Sequence, residues 1–419
     1  MRDVKESKID IIGDISRNWD VIRLKYLCDI QTGDSDTQDA NPDGEYPFYV
    51  RSPIVERSTN YTFDGEGILM AGDGAGAGRI FHHAYGKYAV HQRVYRLSNF
   101  KKIDSTLLFY YLQNLFCKQM DKGSAQSTVP SVRLPMLLNF NVCLPPIDEQ
   151  ERIVNFLDEK CEQIDSLTAD IQSQIDTLEE YKKSVITEAV TKGLNPDVEM
   201  KDSGIEWIGL IPRYWKSSRL GYESYIRARL GWKGLKADEY VDEGYAFISA
   251  FNIQNNQLVW TPLNFITKQR YDESPEIKLR VGDILIVKDG AGIGKTARID
   301  ALPNGETAPN SSLCVITPIS KLDYRYCSYY LQSSIFNNYV LRLINGMGVP
   351  HLTQEVLRKI NILLPPVEEQ QEISDYLDAK CSEIDAIISE KKEQLSTLEE
   401  YKKSLIYEYV TGKKEVAEA

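Results

Sequence analysis

Two stretches of this chain place apolar residues seven positions apart over five heptads. In the first, Leu157, Ile164, Ile171, Leu178 and Val185 form one row, and Ile153, Lys160, Leu167, Gln174 and Tyr181 form a second. In the other, Leu377, Ile384, Lys391, Leu398 and Leu405 repeat the first row, with Ile373, Ile387 and Tyr401 in the second. Heptads sustained this long predict a coiled-coil seam rather than a helix lying on a sheet. Pro145-Pro146 and Pro365-Pro366 mark sharp helix starts, because proline is tolerated only in the first turn. The helices are expected over Ile147–Thr191 and Val367–Thr411, each about 45 residues and roughly 65 Å long at 1.5 Å per residue. Polar on their outer sides, each needs a partner, and the nearest is the other copy.

The segments before each helix predict mixed α+β modules. Ile68–Met70 and Ile284–Val287 look like buried strands running into glycine-rich loops. Thr106–Met120 and Tyr324–Leu343 carry apolar and aromatic residues at helical spacing, while Leu138–Leu144 and Lys359–Leu364 alternate as closing strands should. Asn195 through Gly204 reads as a linker.

These parts form an internal repeat. Asn141-Val-Cys-Leu-Pro-Pro-Ile-Asp-Glu-Gln150 returns as Asn361-Ile-Leu-Leu-Pro-Pro-Val-Glu-Glu-Gln370, at an offset of 220. The match continues ungapped to Thr191 and Thr411, about half of its positions identical. Upstream the echo is weaker: Trp19 answers Trp215, Asp73-Gly-Ala-Gly-Ala-Gly78 answers Asp289-Gly-Ala-Gly-Ile-Gly294, and Tyr110-Tyr-Leu-Gln113 answers Tyr329-Tyr-Leu-Gln332. The organisation is module, helix, module, helix, with boundaries at 1–146, 147–200, 201–366 and 367–419.

Charge changes the picture only when divided among these parts. The net charge of −12 would argue against a nucleic-acid partner, but residues 1–145 hold 17 basic and 17 acidic side chains, and residues 201–360 hold 20 and 16. The excess acid lies in 146–200 and 361–419, so the modules are neutral to basic and free to approach phosphates. No secretory h-region opens the chain and no apolar run approaches the roughly 20 residues of a membrane helix. Seven cysteines without a CxxC pair, and four scattered histidines, give no metal-ligand spacing. Free thiols and the missing export signal point to the cytoplasm.

Catalytic motifs fail on spacing. Gly290-Ala-Gly-Ile-Gly294-Lys295-Thr296 resembles a phosphate-binding P-loop, but three residues rather than four separate its glycines, so a tight structural turn is expected. The Pro-Pro pairs lack the amide and aromatic ring of an adenine methyltransferase motif. Lys288-Asp289 alone does not make a metal-dependent nuclease. No catalytic residue, cofactor or metal is expected.

In order, the two Leu-Pro-Pro-x-x-Glu-Gln segments with their patterned helices, the Trp19 and Trp215 openings and the glycine-rich turns resemble the specificity (S) subunit of type I restriction-modification systems, over essentially the whole chain. The resemblance implies two target recognition domains, each reading half of a split double-stranded DNA site. It also implies two antiparallel helices acting as a spacer rod, two methyltransferase subunits docked on it, and restriction subunits joining them. The S subunit itself is non-catalytic. A stand-alone DNA-binding regulator or architectural protein is the alternative, and it predicts tight DNA binding without an enzyme partner.

Phosphate and base contacts call for Lys, Arg, Asn and Gln on loops. In the first module these are Arg51, Arg57, Arg79, Arg93, Lys122 and Gln126; in the second, Arg227, Arg229, Lys233, Lys236, Lys288, Lys295 and Asn310. Glu149, Gln150, Glu369 and Gln370, repeated at the helix starts, are expected to bind a protein partner.

Overall fold

The computed structural model describes residues 3–120, 131–229, 235, 239–290, 292–319, 321–345 and 351–416. The described chain is α+β, and its contacts divide it into two compact units. One takes in Met1–Gln172 with Lys392–Ala419, and the other Ser173–Lys391. Each unit therefore holds one module, the start of the helix that follows it, and the end of the other helix.

In the first module, one antiparallel sheet runs Asp29–Thr32, Val94–Ser98, Gly67–Ala71, Phe81–Ala84. A second runs Glu56–Ser58, Tyr46–Tyr49, Lys87–Val90, Phe63–Asp64, and Tyr46–Tyr49 is parallel to Lys87–Val90. The central strand Gly67–Ala71 is buried at every position, as its uninterrupted apolar run requires. Helix Ser105–Met120 packs on it and on Phe81–Ala84.

The second module repeats the first sheet as Ser224–Arg227, Leu313–Pro318, Ile284–Val287, Thr296–Arg298. Its other sheet is Asn264–Ile266, Tyr245–Ile248, Thr307–Pro309. The single helix expected over Tyr324–Leu343 is two, Tyr324–Tyr330 and Ser334–Asn345. Between them the Ser333 hydroxyl donates to the Tyr330 carbonyl at 2.6 Å, the local bond by which serine competes with helix.

Each module closes on itself. Asp20–Arg23 pairs antiparallel with Asn141–Leu144, and Lys216–Arg219 with Asn361–Leu364, so the chain leaves a module beside the point where it entered. Trp19 and Trp215, fully buried ahead of those opening strands, seal the far ends of the helices. Gly412 and Gly193 stand just past the two helix ends at positive φ; a Cβ on Gly412 would lie 3.0 Å from the Trp19 ring, and one on Gly193 3.3 Å from Trp215. Glycine is needed there for both conformation and space.

The long helices, Ile147–Lys192 and Val367–Val410, pack antiparallel. In one unit Lys182 meets Asp385 and Lys391 meets Gln174; in the other Lys402 meets Asp165. The seam corrects the sequence reading by one residue. Leu157, Ile164 and Ile171 are buried as expected, as are Ile153 and Ile373 at the head of the second row, but further along that row is replaced by Cys161 and Ile175, while Leu167 and Tyr181 are exposed. The other helix does the same: Cys381 and Ile388 are buried, Ile387 and Tyr401 exposed. Rows three and four residues from the first both fit a heptad. Both mix polar with apolar residues here, so packing chose between them.

Candidate nucleic-acid interface

The two glycine loops share one backbone frame. Each leaves a buried strand, and the Gly78 and Gly294 N–H groups donate 2.9 Å back to the Ala71 and Val287 carbonyls at that strand's end. Inside the loops, the Ala77 N–H reaches the Gly74 carbonyl and the Ile293 N–H the Gly290 carbonyl. Arg79 and Lys295 follow at matching places, both exposed. These are tight turns ending in a cation, as the spacing predicts.

The frame extends through three neighbouring segments. The Gly72 N–H donates to the Arg93 carbonyl, as the Lys288 N–H does to that of Ser312, both at 2.9 Å. The Val132 and Leu352 N–H groups donate back to the Gly72 and Lys288 carbonyls. The His91 N–H donates to the Tyr49 carbonyl, and the Asn310 N–H to that of Ile248. A side-chain acceptor is common too: His91 Nδ1 takes the Arg93 N–H at 3.0 Å, and Asn310 Oδ1 the Ser312 N–H at 3.1 Å.

On this frame the side chains differ. In the first module Asp73 holds two arginines, Arg51 Nη1 at 2.7 Å on Oδ1 and Arg93 Nη1 at 3.0 Å on Oδ2. Partial burial opposes ionisation of Asp73, yet the two guanidinium groups hold its carboxyl below the usual range. Arg51 and Asp73 border a cavity of about 520 Å³ also lined by Thr37, Ser52, Glu56 and His91. Burial, reinforced by Arg51, depresses the His91 imidazole below its ordinary value. With Nδ1 accepting, the neutral ring carries its proton on Nε2, facing Thr37 and Asp36. Arg57 braces a turn, donating to the Gly44 and Glu45 carbonyls. Lys122 and Gln126 lie outside the described residues.

In the second module Asp289 bonds His351 Nδ1 and lies 3.2 Å from the Lys288 ammonium. Asn310 also accepts from the Ser312 hydroxyl. Arg229 is half-buried, and among the described residues its Nε has no partner. Lys233 and Lys236 lie outside the described residues. Arg227 corrects the expectation, because its guanidinium is 2.6 Å from the fully buried Asp283 and holds the sheet together.

Gln150 and Gln370 are also corrections. They are 1% and 0% exposed, and both ends of each amide are used inside the module. Gln150 accepts from the Asp104 N–H and donates to the Lys102 and Pro145 carbonyls; Gln370 accepts from Asp323 and donates to Lys321 and Pro365. They clamp helix start to module. Glu369 accepts from the Tyr214 hydroxyl and the Trp215 indole. Its copy Glu149 is half-buried, and the buried Trp19 indole N–H has no acceptor among the described residues. Sequence reasoning passed over Asp73 and Asp289, although their place at the head of the repeated glycine motif marked them. Among the described residues no group of three potential metal ligands occurs, and no helix is long and apolar enough to cross a membrane.

Residues 16–177 and 231–397 match a family described as the type I restriction modification DNA specificity domain. The chain is similar to the type I restriction enzyme MjaVIII specificity subunit of Methanocaldococcus jannaschii, 26% identical over 417 residues that cover 95% of this chain and 93% of that one. It is also similar to the EcoDI specificity subunit of Escherichia coli, 21% identical over 96% of this chain and 89% of that one. A chain solved in work on complex assembly and conformational transition of the type I R-M system has the same fold. Its TM-score is 0.68 at 18% identity, with 94% of this chain and 98% of that chain covered.

Proposed function

Because the chain belongs to the type I restriction-modification DNA specificity family, whose S subunits are non-catalytic and select the DNA target, we propose that each of its modules reads one half of a bipartite double-stranded site. The observation that carries this is one backbone frame bearing two different side-chain sets. A frame kept while its exposed groups change is what reading two different sequences with one scaffold requires.

In this reading Arg79 and Lys295 contact phosphates from equivalent places, and Arg51, Arg93, Lys288 and Asn310 face base edges. Arg57 and Arg229 are auxiliary contacts, and Lys122, Gln126, Lys233 and Lys236 are further candidates from the sequence. The long helices set the half-site spacing and dock two methyltransferase subunits, with restriction subunits joining the assembly. Leu167, Tyr181, Ile387 and Tyr401, exposed at matching positions of the two helices, are the docking residues in place of the buried glutamines.

The test is to sequence methylated positions in the source DNA with and without this gene. One bipartite motif should disappear on deletion. An unchanged pattern, together with tight, sequence-specific DNA binding by the isolated chain, would replace this reading with that of a stand-alone regulator.

A further inference from the structure

The first module presents its two arginines as a single unit. Each guanidinium spends Nη1 on Asp73, one on each carboxylate oxygen, and among the described residues no hydrogen bond occupies Nε or Nη2 of either. Their side chains are 38% and 58% exposed, while Asp73 fixes one nitrogen of each. Two cations share the one anion Asp73, so the three-residue group itself carries one net positive charge, in a cavity that Glu56 also lines. A guanidinium with one end fixed and an Nε–Nη2 edge free offers two parallel N–H donors, the geometry that matches guanine O6 and N7 in the major groove. Adenine presents a donor at the corresponding exocyclic position and would repel it.

The second module shows which positions are variable. Counting two residues beyond the shared bond to the Tyr49 and Ile248 carbonyls, Arg51 falls opposite Ala250, and the frame sets Arg93 opposite Ser312. Asp73 and Asp289 are common to both, and the segments that bridge to them bring Ser131 in one module and His351 in the other. Among the described residues Asp289 holds no arginine and takes His351 and Lys288 instead.

We propose that Asp73 is a positioning residue that makes Arg51 and Arg93 one guanine-reading fork, and that the positions of Arg51, Arg93, Gly72 and Ser131, with their counterparts Ala250, Ser312, Lys288 and His351, determine specificity in the two half-sites. This rests on the reading that each module recognises one half-site.

The experiment uses the full chain assembled with its methyltransferase, methylating a duplex library randomised over both half-sites, with products sequenced. Arg51→Ala and Arg93→Ala should each relax a guanine preference at a defined position of one half-site by about 5- to 150-fold, the span of one bidentate contact. Asp73→Asn should relax the same positions and spare the other half-site. A merely structural aspartate would lower methylation of all sequences alike, and that outcome, or loss of a preference for a base other than guanine, overturns the fork. The reverse construction does not depend on a loss: A250R, S312R, K288G and H351S together should create a guanine preference in the second half-site, on the Asp289 already present. Absence of a new preference in a folded, methylating complex counts against the shared positions. If Arg51→Ala altered both half-sites together, the half-site reading itself would fail, which is distinct from failure of the fork.

Discussion

The Lys182 ammonium lies 2.7 and 2.6 Å from the two carboxylate oxygens of Asp385, joining the long helices inside one unit. Its repeat copy Lys402 makes the same bidentate approach to Asp165 in the other unit. The pairs are chemically identical but not equally dry: the lysine side chains are 18% and 29% exposed, and Asp385 is more covered than Asp165. Double-mutant cycles by urea unfolding should therefore give about 1 kcal/mol of coupling for Lys182–Asp385 and a few tenths for Lys402–Asp165, with the exposed pair weakened further by salt. Equal couplings would show that burial does not set their strength.

The glutamine clamps make a second prediction. Gln370→Leu keeps the volume but strands the Asp323 N–H and the Lys321 and Pro365 carbonyls, at a cost of about 3 kcal/mol. Stability should fall while the methylated motif stays the same. Unchanged stability with lost methyltransferase assembly would return Gln370 to the partner-binding role expected from its position.

That case shows where the sequence was legible. Repeats, helix starts and the heptad period follow from covalent and periodic constraints that act locally, and Pro145-Pro146, Trp19 and the glycine turns were readable for that reason. Which neighbouring row faces the partner helix was not, since Leu167 and Cys161 are equally admissible until packing decides. Gln150 misled because a repeated polar residue looks the same whether it serves a partner or satisfies a buried helix start. Arg227 misled likewise: its role depends on Asp283, 56 positions away, which the sheet brings beneath it.

His91 predicts a pH dependence. Its folded imidazole is depressed by burial and by Arg51, while the unfolded side chain titrates near its ordinary value of about 6.5. Just below that value the unfolded chain binds more protons, so the contribution is present above about 6.5, begins to fall as pH drops through it, and is lost once pH has fallen through the depressed folded value. His83, also depressed mainly by burial, acts in the same direction. His91→Asn supplies the acceptor that Asn310 provides in the second module. It should reduce the loss of thermal stability between about pH 7.5 and about pH 5, leaving the part due to His83. An undiminished loss would mean that His91 is not the responsive group.

Arg79 and Lys295 end equivalent turns and are both exposed, so each should account for one phosphate contact. Arg79→Ala and Lys295→Ala should each lower affinity of the assembled complex modestly and reduce the salt slope by about one, without altering sequence preference. ATP binding that disappears in Lys295→Ala would show that the loop binds nucleotide after all.

Modularity is the strongest test of the whole reading. The second module closes on itself through Lys216–Arg219 and Asn361–Leu364, and the clamp of Gln370 on Asp323 and Lys321 fixes it to its own helix start. None of its proposed specificity positions, Ala250, Lys288, Ser312 and His351, lies on either closing strand. Replacing residues 201–360 with the matching module of a relative should therefore change one half of the recognised site and spare the other. Each altered base pair should carry about 1–3 kcal/mol of discrimination at the affected half. Methylation of a randomised library by the chimaera with its methyltransferase reads this directly. If both halves changed together, the modules would be reading DNA jointly, and one frame with two side-chain sets would need another explanation.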